Sequence, residues 1–440
     1  MFQLYKSIKG AEQPLKLIYV VIDGMGDLPI LEIGNKTPLE FADVPNMNFL
    51  ATKGKLGQMY TVGRGIAPES DVAVISILGY DPYRYHVGRG PLEAYGAGLD
   101  MKNGDLALRC NFATLGENNR LIDRRAGRNL STEEAAILAE EMNRKVKLES
   151  HPAELCFKST LGHRGVLVIK SKKTLLSGKI SNTDPAYERV SGLGVAKKDV
   201  EMVLAECLPL ADTKSAKISA QLVNEFTEKS HRVLDKHEVN LMRAVEGKLK
   251  ANVILSRDAG DELPQFFDIN ERYGVRFACL ADMPVERGIS RLAGMDLVEL
   301  PPPSPDIEAD MKLRVDSLLN LLPSYDCFYI HLKGPDEPGH DGDYIHKTQT
   351  IAGIDKHFFG QIMPKINLKE TLICITADHS TPCELKAHSD DPVPLLIAGD
   401  KLVPDGIKEF SEKSCRKGSL DTLEHGTELI PMLMQIMKRD

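Results

Sequence analysis

The sequence predicts an α/β protein with a mostly parallel central sheet, helices on both its faces, and a smaller inserted α+β domain. Three observations lead there. First, short apolar runs rich in Val, Ile and Leu each stop at a polar or glycine-rich turn: "LIYVVIDG" (17–24), "VRFACLAD" (275–282), "CFYIHLKG" (327–334), "LICITADH" (372–379) and "VPLLIAGD" (393–400). Runs without polar alternation are strands buried on both faces, which is what a helix-covered parallel sheet requires. Second, helical patterns lie between these runs. Third, the middle of the chain changes character, with arginines gathered at turns.

The elements follow in order. The run from Leu17 ends at Asp23. "SDVAVISILGYDP" (70–82) reads as a short apolar helix with Ser70 at its N-cap position and Gly79 at its end. From Ala107 the pattern becomes α+β: "CNFATLGENNRLIDRRAGRN", a helix opened by Ser131, Thr132 and Glu134, the strand-like "TLGHRGVLVIKS", a helix around 214–235, and "ANVILSRDAG". Residues 107–261 are therefore read as an inserted domain. Residues 1–106 and 262–440 form a discontinuous domain around it, since 440 residues exceed one ordinary core. In that domain "DYIHKTQTIAGIDKHFFGQIM" (343–363) carries apolar residues at Ile351, Ile354, Phe358 and Ile362 and meets Pro364, as a helix with a defined stop.

Composition excludes some classes. The formal charge is −8, which leaves no basic excess for binding nucleic acid. No apolar segment approaches the roughly 18 residues of a membrane span, and the first residues lack a signal peptide's layout. Eight cysteines include no CxxC pair, and Cys279, Cys327 and Cys374 lie inside apolar runs. Reduced thiols in a cytoplasmic protein are the expectation. The oligomeric state is left open.

Ligands of α/β sheets collect outside the carboxyl ends of strands. Three runs end there in acids or histidines: Asp23, then Asp336 with His340, then Asp378 with His379. In "PDEPGH" the acid and histidine stand four apart, which aims both at one point on a helix or in a locked loop. Carboxylate and imidazole suit Mn²⁺, Zn²⁺ or Fe²⁺; a solvated acidic turn is the competing reading. His388 follows in "KAHSDDP", where a structural histidine is the ordinary alternative. His425 reads as helix-start chemistry, and Asp341 and Asp343 as caps. Ser70 is an N-cap by the ordinary reading, yet a helix N-terminus also binds anions. A serine there is a nucleophile for phosphorus if a cation beside it assists the loss of its proton.

Taken together, "VVIDGMGD" (20–27), "SDVAVISILGYDP", "GRGPLEAYGAG" (88–98), "CNFAT…DRRAGR", "TLGHRGVLV", "SNTDP", "PDEPGHDGD", "TADHSTPC" and "HSDDPVP" resemble the alkaline phosphatase superfamily. Within it they are similar to the archaeal-type, 2,3-bisphosphoglycerate-independent phosphoglycerate mutases, over nearly the whole chain. The resemblance implies an alkaline phosphatase-like fold and two divalent cations, manganese first, with magnesium, cobalt or zinc as alternatives, and no 2,3-bisphosphoglycerate. One ion would take Asp23, Ser70, Asp378 and His379; the other Asp336, His340 and His388. Ser70 would carry the phosphoryl group between 3-phosphoglycerate and 2-phosphoglycerate. Asp123, Arg124, Arg125, Arg128, Arg164, Arg257 and Arg287 would hold the substrate, with Arg257 toward the phosphate. The chain departs from the family pattern at Glu69, Val74, Arg287, where a lysine is common, and the "SLDTLEHGTEL" end; none of these departures removes an inferred metal ligand. A metal-dependent phosphatase or phosphotransferase of the same superfamily is the alternative function.

Overall fold

The computed structural model describes residues 15–190, 193–197, 200–301, 303–304 and 306–438. They fall into two compact units. One comprises the chain up to Arg84, Phe266–Asp282 and everything from Ala293; the other comprises Tyr85–Gln265 and Met283–Leu292.

The first unit is built on an eight-stranded sheet in the order Asp296–Leu297, Phe277–Leu280, Cys327–Leu332, Lys16–Ile22, Thr371–Thr376, Val393–Ala398, Gly54–Met59, Thr422–Leu423. The central strand Lys16–Ile22 is parallel to both neighbours, with Val20 opposite Ile330 on one side and Ile375 on the other. From Leu17 to Ile22 it has no exposed surface, as the unbroken apolar run requires. Each buried Leu, Ile or Val there contributes about 1.5–3 kcal/mol.

Val393–Ala398 departs from the parallel expectation. It runs antiparallel to both Thr371–Thr376 and Gly54–Met59. The physical reason is connectivity: antiparallel neighbours need only a loop, whereas a parallel return needs a crossover. Residues 377–392 are that loop. The reversal places the start of Val393–Ala398 at the same sheet end as the last residues of Lys16–Ile22, Cys327–Leu332, Thr371–Thr376 and Gly54–Met59, because Val393 pairs with Met59. Every candidate metal residue leaves the sheet from that end.

Two helices refine the sequence reading. The helix Ser70–Ile77 takes Glu69 as its N-cap, extended at φ −76° and ψ 155°, so Ser70 is the first helical residue and not the cap. The 343–363 helix forms, capped by the Asp343 side chain on His346 N, but widens to a π turn at Asp355–Phe359. There Asp355 turns inward and accepts from the backbone of Asn46 and Met47, donors that have no intrahelical acceptor at the start of the helix Pro45–Ala51.

The second unit contains a five-stranded antiparallel sheet. Leu106–Leu115 pairs with Arg164–Ser171 and with Val253–Gly260, and its last residues pair with Leu121–Asp123; Ala153–Ser159 completes the sheet beyond Arg164–Ser171. Alternate residues Leu106, Leu108, Cys110 and Phe112 enter a core under the helices Thr132–Lys145 and Lys214–Leu234. Rings of Phe112, Phe157 and Phe226 pack there in sequence.

This unit begins earlier than the 107–261 expected. The helix Arg89–Gly96 packs on the sheet face opposite that core, where Ala94 meets Ala107, Val166 and Val168. The helix Pro284–Leu292 packs on Arg89–Gly96 in turn, backbone to backbone. A Cβ on Gly96 would stand 1.8 Å from Pro284 O, and one on Gly288 2.0 Å from Leu92 O. The glycines of "EAYGAG" and "ERGIS" thus join two segments far apart in sequence. Among the described residues no helix is long and apolar enough to cross a membrane, and the eight cysteines are free thiols, seven of them buried.

Candidate metal centre and arginine face

In the first unit, five chain segments at one end of the sheet deliver the predicted ligands. Asp23 follows Lys16–Ile22; Asp336 and His340 lie on the short helix Asp336–Asp341; Asp378 and His379 follow Thr371–Thr376; His388 precedes Val393–Ala398; Ser70 starts its helix. Close approach is built in at Gly24, whose φ is 61° and where a Cβ would lie 2.8 Å from Asp336 Cα.

Two groups form. In one, His379 Nε2 lies 3.4 Å from Asp23 Oδ1, 3.3 Å from Asp378 Oδ2 and 3.3 Å from Ser70 Oγ. In the other, Asp336 Oδ1 is 3.4 Å from both His340 Nε2 and His388 Nε2. The rings of His388 and His379 stack at 3.7 Å, so the groups are contiguous. Ser70 is half-buried and His340 exposed, while Asp378 and His379 are sealed.

Hydrogen bonds behind each imidazole decide which nitrogen faces the site. A carbonyl can only accept, so His388 Nδ1 donates to Pro68 O at 2.8 Å and His340 Nδ1 to Lys386 O at 3.2 Å. Thr381 donates to Asp336 Oδ1 at 2.8 Å, so it accepts from His379 Nδ1 at 3.0 Å. All three Nε2 atoms are left to face carboxylates with their lone pairs, the arrangement that orients metal-binding histidines. Asp378 Oδ1 accepts from Gly24 N and His379 N, yet Asp378 Oδ2 and Asp23 Oδ1 are buried with no hydrogen-bond donor among the described residues.

Electrostatics agree. Burial and then the Asp23 charge push the Asp378 carboxyl well above its ordinary range. Burial also opposes the charge on Asp23, but the Lys333 ammonium, 2.9 Å away, and His379 outweigh it and hold Asp23 well below. Two oxygens without donors and a bare imidazole nitrogen converging on one point fit a divalent cation, which would replace the missing donors. Two sets are present, Asp23–Asp378–His379 and Asp336–His388 with His379 beside it. His379 Nδ1 is committed to Thr381, so its other nitrogen faces Asp23 and Asp378 of the first set, while His340 Nε2 stands 3.4 Å from Asp336 of the second.

In the second unit the expected substrate residues separate into three places. Asp123, Arg124, Arg125 and Arg128 line a cleft of about 310 Å³ with Leu121, Ile122 and Met202. Arg124 is held bidentate by Asp184, at 2.8 and 2.6 Å. Asp123 spends Oδ1 on the Arg125 and Gly127 amides, shaping the turn that aims the arginines. Arg164 and Arg257 lie on the sheet, Arg257 buried with its guanidinium 3.6 Å over the Tyr187 ring. Arg287 is half-buried on the helix Pro284–Leu292. Burial, then Arg164, Arg125, Arg109 and Arg128, push His163 down to about 3, so a strong positive field converges on it.

Sequence reasoning missed Lys333, Thr381, Arg89, Glu93 and Arg109. Lys333 directly follows a buried strand, so the rule that singled out the acids applied to it equally. Arg109 was visible as the one charge within the strand "LALRCNFATL". Thr381 carried no signal, because its role depends on two partners brought in by folding.

A family model described as 2,3-bisphosphoglycerate-independent phosphoglycerate mutase matches residues 51–240. Curated proteins of that name are similar along nearly the full length. The one from Aeropyrum pernix is 42% identical over 96% of this chain and 100% of its own. The one from Thermococcus kodakarensis is 39% identical over 96% and 98%. Among solved structures, a Pyrococcus horikoshii protein is 33% identical over 98% of this chain and 99% of its own, with a TM-score of 0.77. The cofactor-independent phosphoglycerate mutase from Thermoplasma acidophilum is 30% identical over 96% and 100%, with a TM-score of 0.59.

Proposed function

The chain belongs to the 2,3-bisphosphoglycerate-independent phosphoglycerate mutases, and from that membership we propose that Ser70 carries the phosphoryl group as 3-phosphoglycerate and 2-phosphoglycerate interconvert. The observation that carries the assignment is the position of Ser70 Oγ. It stands at a helix N-terminus, 3.3 Å from His379 Nε2, which in turn faces Asp23 and Asp378, each with one oxygen that lacks a hydrogen-bond donor.

Asp23, Ser70, Asp378 and His379 would hold one divalent cation, and Asp336, His340 and His388 a second, manganese before magnesium, cobalt or zinc. Such ions supply charge neutralisation at the phosphoryl oxygens and ease the loss of the serine proton. The remaining work belongs to the chain. Ser70 Oγ attacks phosphorus, and the bond from phosphorus to the 3-oxygen of glycerate breaks. The free N–H groups at the start of Ser70–Ile77 favour the incoming anion. The 2-hydroxyl of the retained glycerate then attacks the phosphoserine and the Ser70–phosphorus bond breaks. Because Ser70 stores the phosphoryl group, no 2,3-bisphosphoglycerate is needed.

Retention of glycerate separates a mutase from a phosphatase. Planar guanidinium groups are suited to it, since they grip carboxylate and phosphate with paired donors. We assign that task to Arg124, Arg125, Arg128, Arg164 and Arg257, with Arg287 as a further candidate. We propose a cytoplasmic location for the reaction, in keeping with eight thiols that are free.

The test incubates the manganese-loaded protein with 3-phosphoglycerate and follows 2-phosphoglycerate and free phosphate together. Rapid appearance of 2-phosphoglycerate with little phosphate is the expected result. Phosphate as the main product would replace the mutase reading with a phosphatase.

A further inference from the structure

The sheet of the second unit has one apolar face and one face with a polar window. Along Leu106–Leu115 the residues opposite the core are Ala107, Arg109, Asn111 and Ala113. Ala107 belongs to one small apolar cluster and Ala113 to another. Between them, Arg109 pairs directly with Arg257 across the strands, and Asn111 with Arg164. Like charges directly opposite on neighbouring strands repel. Here they do so in a buried setting, with Arg257 only 8% exposed.

The repulsion is only partly compensated. Arg89 Nε donates to Glu93 Oε1 at 2.6 Å one helical turn above, and Arg109 Nε lies 3.5 Å from the same oxygen without a hydrogen bond. Arg257 Nε stands 3.7 Å from Asp258 Oδ2 and also makes no hydrogen bond, its guanidinium lying over the Tyr187 ring. Asp258 itself sits at φ 54°, where a non-glycine residue is strained. Buried guanidinium N–H groups are ordinarily satisfied, so two without acceptors on facing strands mark a place for an acceptor that is not protein. Burial, then Arg257 and Arg89, lower Arg109 to about 10; burial also opposes the charge on Arg257, but Tyr187, Asp258 and Asp184 outweigh it and raise Arg257, so the less compensated member of the pair is Arg109.

We propose that Arg109, steadied with Arg89 by Glu93 and set opposite Arg257, is a further anion-binding residue of the substrate site, gripping a phosphate or carboxylate group. This rests on the mutase reading for the identity of the substrate, though not for the presence of an anion site. Glu93 is then a positioning residue: it leaves the Arg109 fork only partly neutralised and fixes its direction.

The experiment compares the manganese-loaded full-length parent with Arg109→Gln by thermal melting, using inorganic phosphate and glycerate as separate probes, and by mutase kinetics. In anion-free buffer Arg109→Gln melts no lower than the parent, because a like-charge pair has been removed. Its stabilisation by at least one probe is lost, and the probe affected tells phosphate from carboxylate. Its KM rises about tenfold or more, with kcat changed less. A parent that responds to neither probe, or a variant with the parent's response and KM, overturns the proposal. An Arg109 of merely structural importance would lower the melting point and leave the probe response intact. Should Arg109→Gln not fold, Arg109→Lys keeps the charge without the paired donors, and a parent-like KM and response there overturn it as well. Melting needs no turnover, so loss of the probe response in a protein without mutase activity would sink the mutase reading alone.

Discussion

The two units solve opposite versions of one electrostatic problem. In the first, three carboxylates, a serine and three bare imidazole nitrogens converge, with Lys333 as the nearby counter-charge to Asp23. In the second, guanidinium groups crowd one sheet face and a turn, with Glu93, Asp184 and Asp258 as partial counter-charges. At each cluster polar atoms stay buried without hydrogen bonds: Asp23 Oδ1 and Asp378 Oδ2 in one, Arg109 Nε and Arg257 Nε, beside Asp258 Oδ1, in the other. Uncompensated buried charge is costly, so its sign indicates the sign of what binds. The lesson is that a site's ligand can be read from the repulsion the fold tolerates there.

The largest expected effect removes the nucleophile and leaves both charge clusters in place. Ser70→Ala lowers mutase turnover by at least about 10⁴-fold while the protein still folds and still binds metal. Mass spectrometry of acid-quenched parent enzyme locates phosphate on Ser70; phosphate on any other residue would defeat the assignment.

A third buried charge sharpens the comparison, because it is relieved by a proton and not by a ligand. Burial raises Glu412 to about 7, against the hydrogen bond it accepts from Thr37. A carboxyl raised in the folded state adds stability that is fully present below about pH 4.5 and is lost as pH rises toward 7. The parent therefore loses on the order of 3 kcal/mol across that window, and Glu412→Gln loses correspondingly less. Urea denaturation at pH 5 and pH 7.5 checks it, and parallel pH profiles for the two proteins would contradict it.

Metal linkage comes next. Mn²⁺ at a hundredfold excess over its Kd stabilises the parent by about 2.7 kcal/mol per site. Asp378→Asn keeps the volume and loses an oxygen anion of the first set, so its Mn²⁺-induced rise in melting temperature falls to that of the second set alone. An undiminished rise would remove Asp378 from the ligands.

The smallest expected change concerns the cleft. Arg125→Gln loses one charge-assisted contact worth roughly 1.5–3 kcal/mol, so mutase efficiency drops on the order of tenfold or more and the share of free phosphate grows. An unchanged ratio of 2-phosphoglycerate to phosphate there, and equally in Arg124→Gln and Arg257→Gln, would mean that the arginines do not retain glycerate.

The sequence by itself determined five of the eight strands of the first sheet and the acids and histidines gathered at their ends, while the short edge strands Asp296–Leu297 and Thr422–Leu423 and the glycine-containing Gly54–Met59 carried no apolar run to betray them. Asp23, Asp336, Asp378 and His379 each lie within four residues of the end of a buried apolar run, and that adjacency survives any arrangement of the strands. The spacing of Asp336 and His340 likewise needed only one helical turn to make them neighbours. Tertiary structure alone decided the reversal of Val393–Ala398, the second unit's start at Tyr85, and the meeting of Thr381 with His379 and Asp336. It alone set Arg109 against Arg257, since a register one residue off would have turned one of them to the opposite face. Local sequence governs what a strand end carries; which charges face each other is governed by pairing between segments well over a hundred residues apart, and that is settled only when the whole sheet forms.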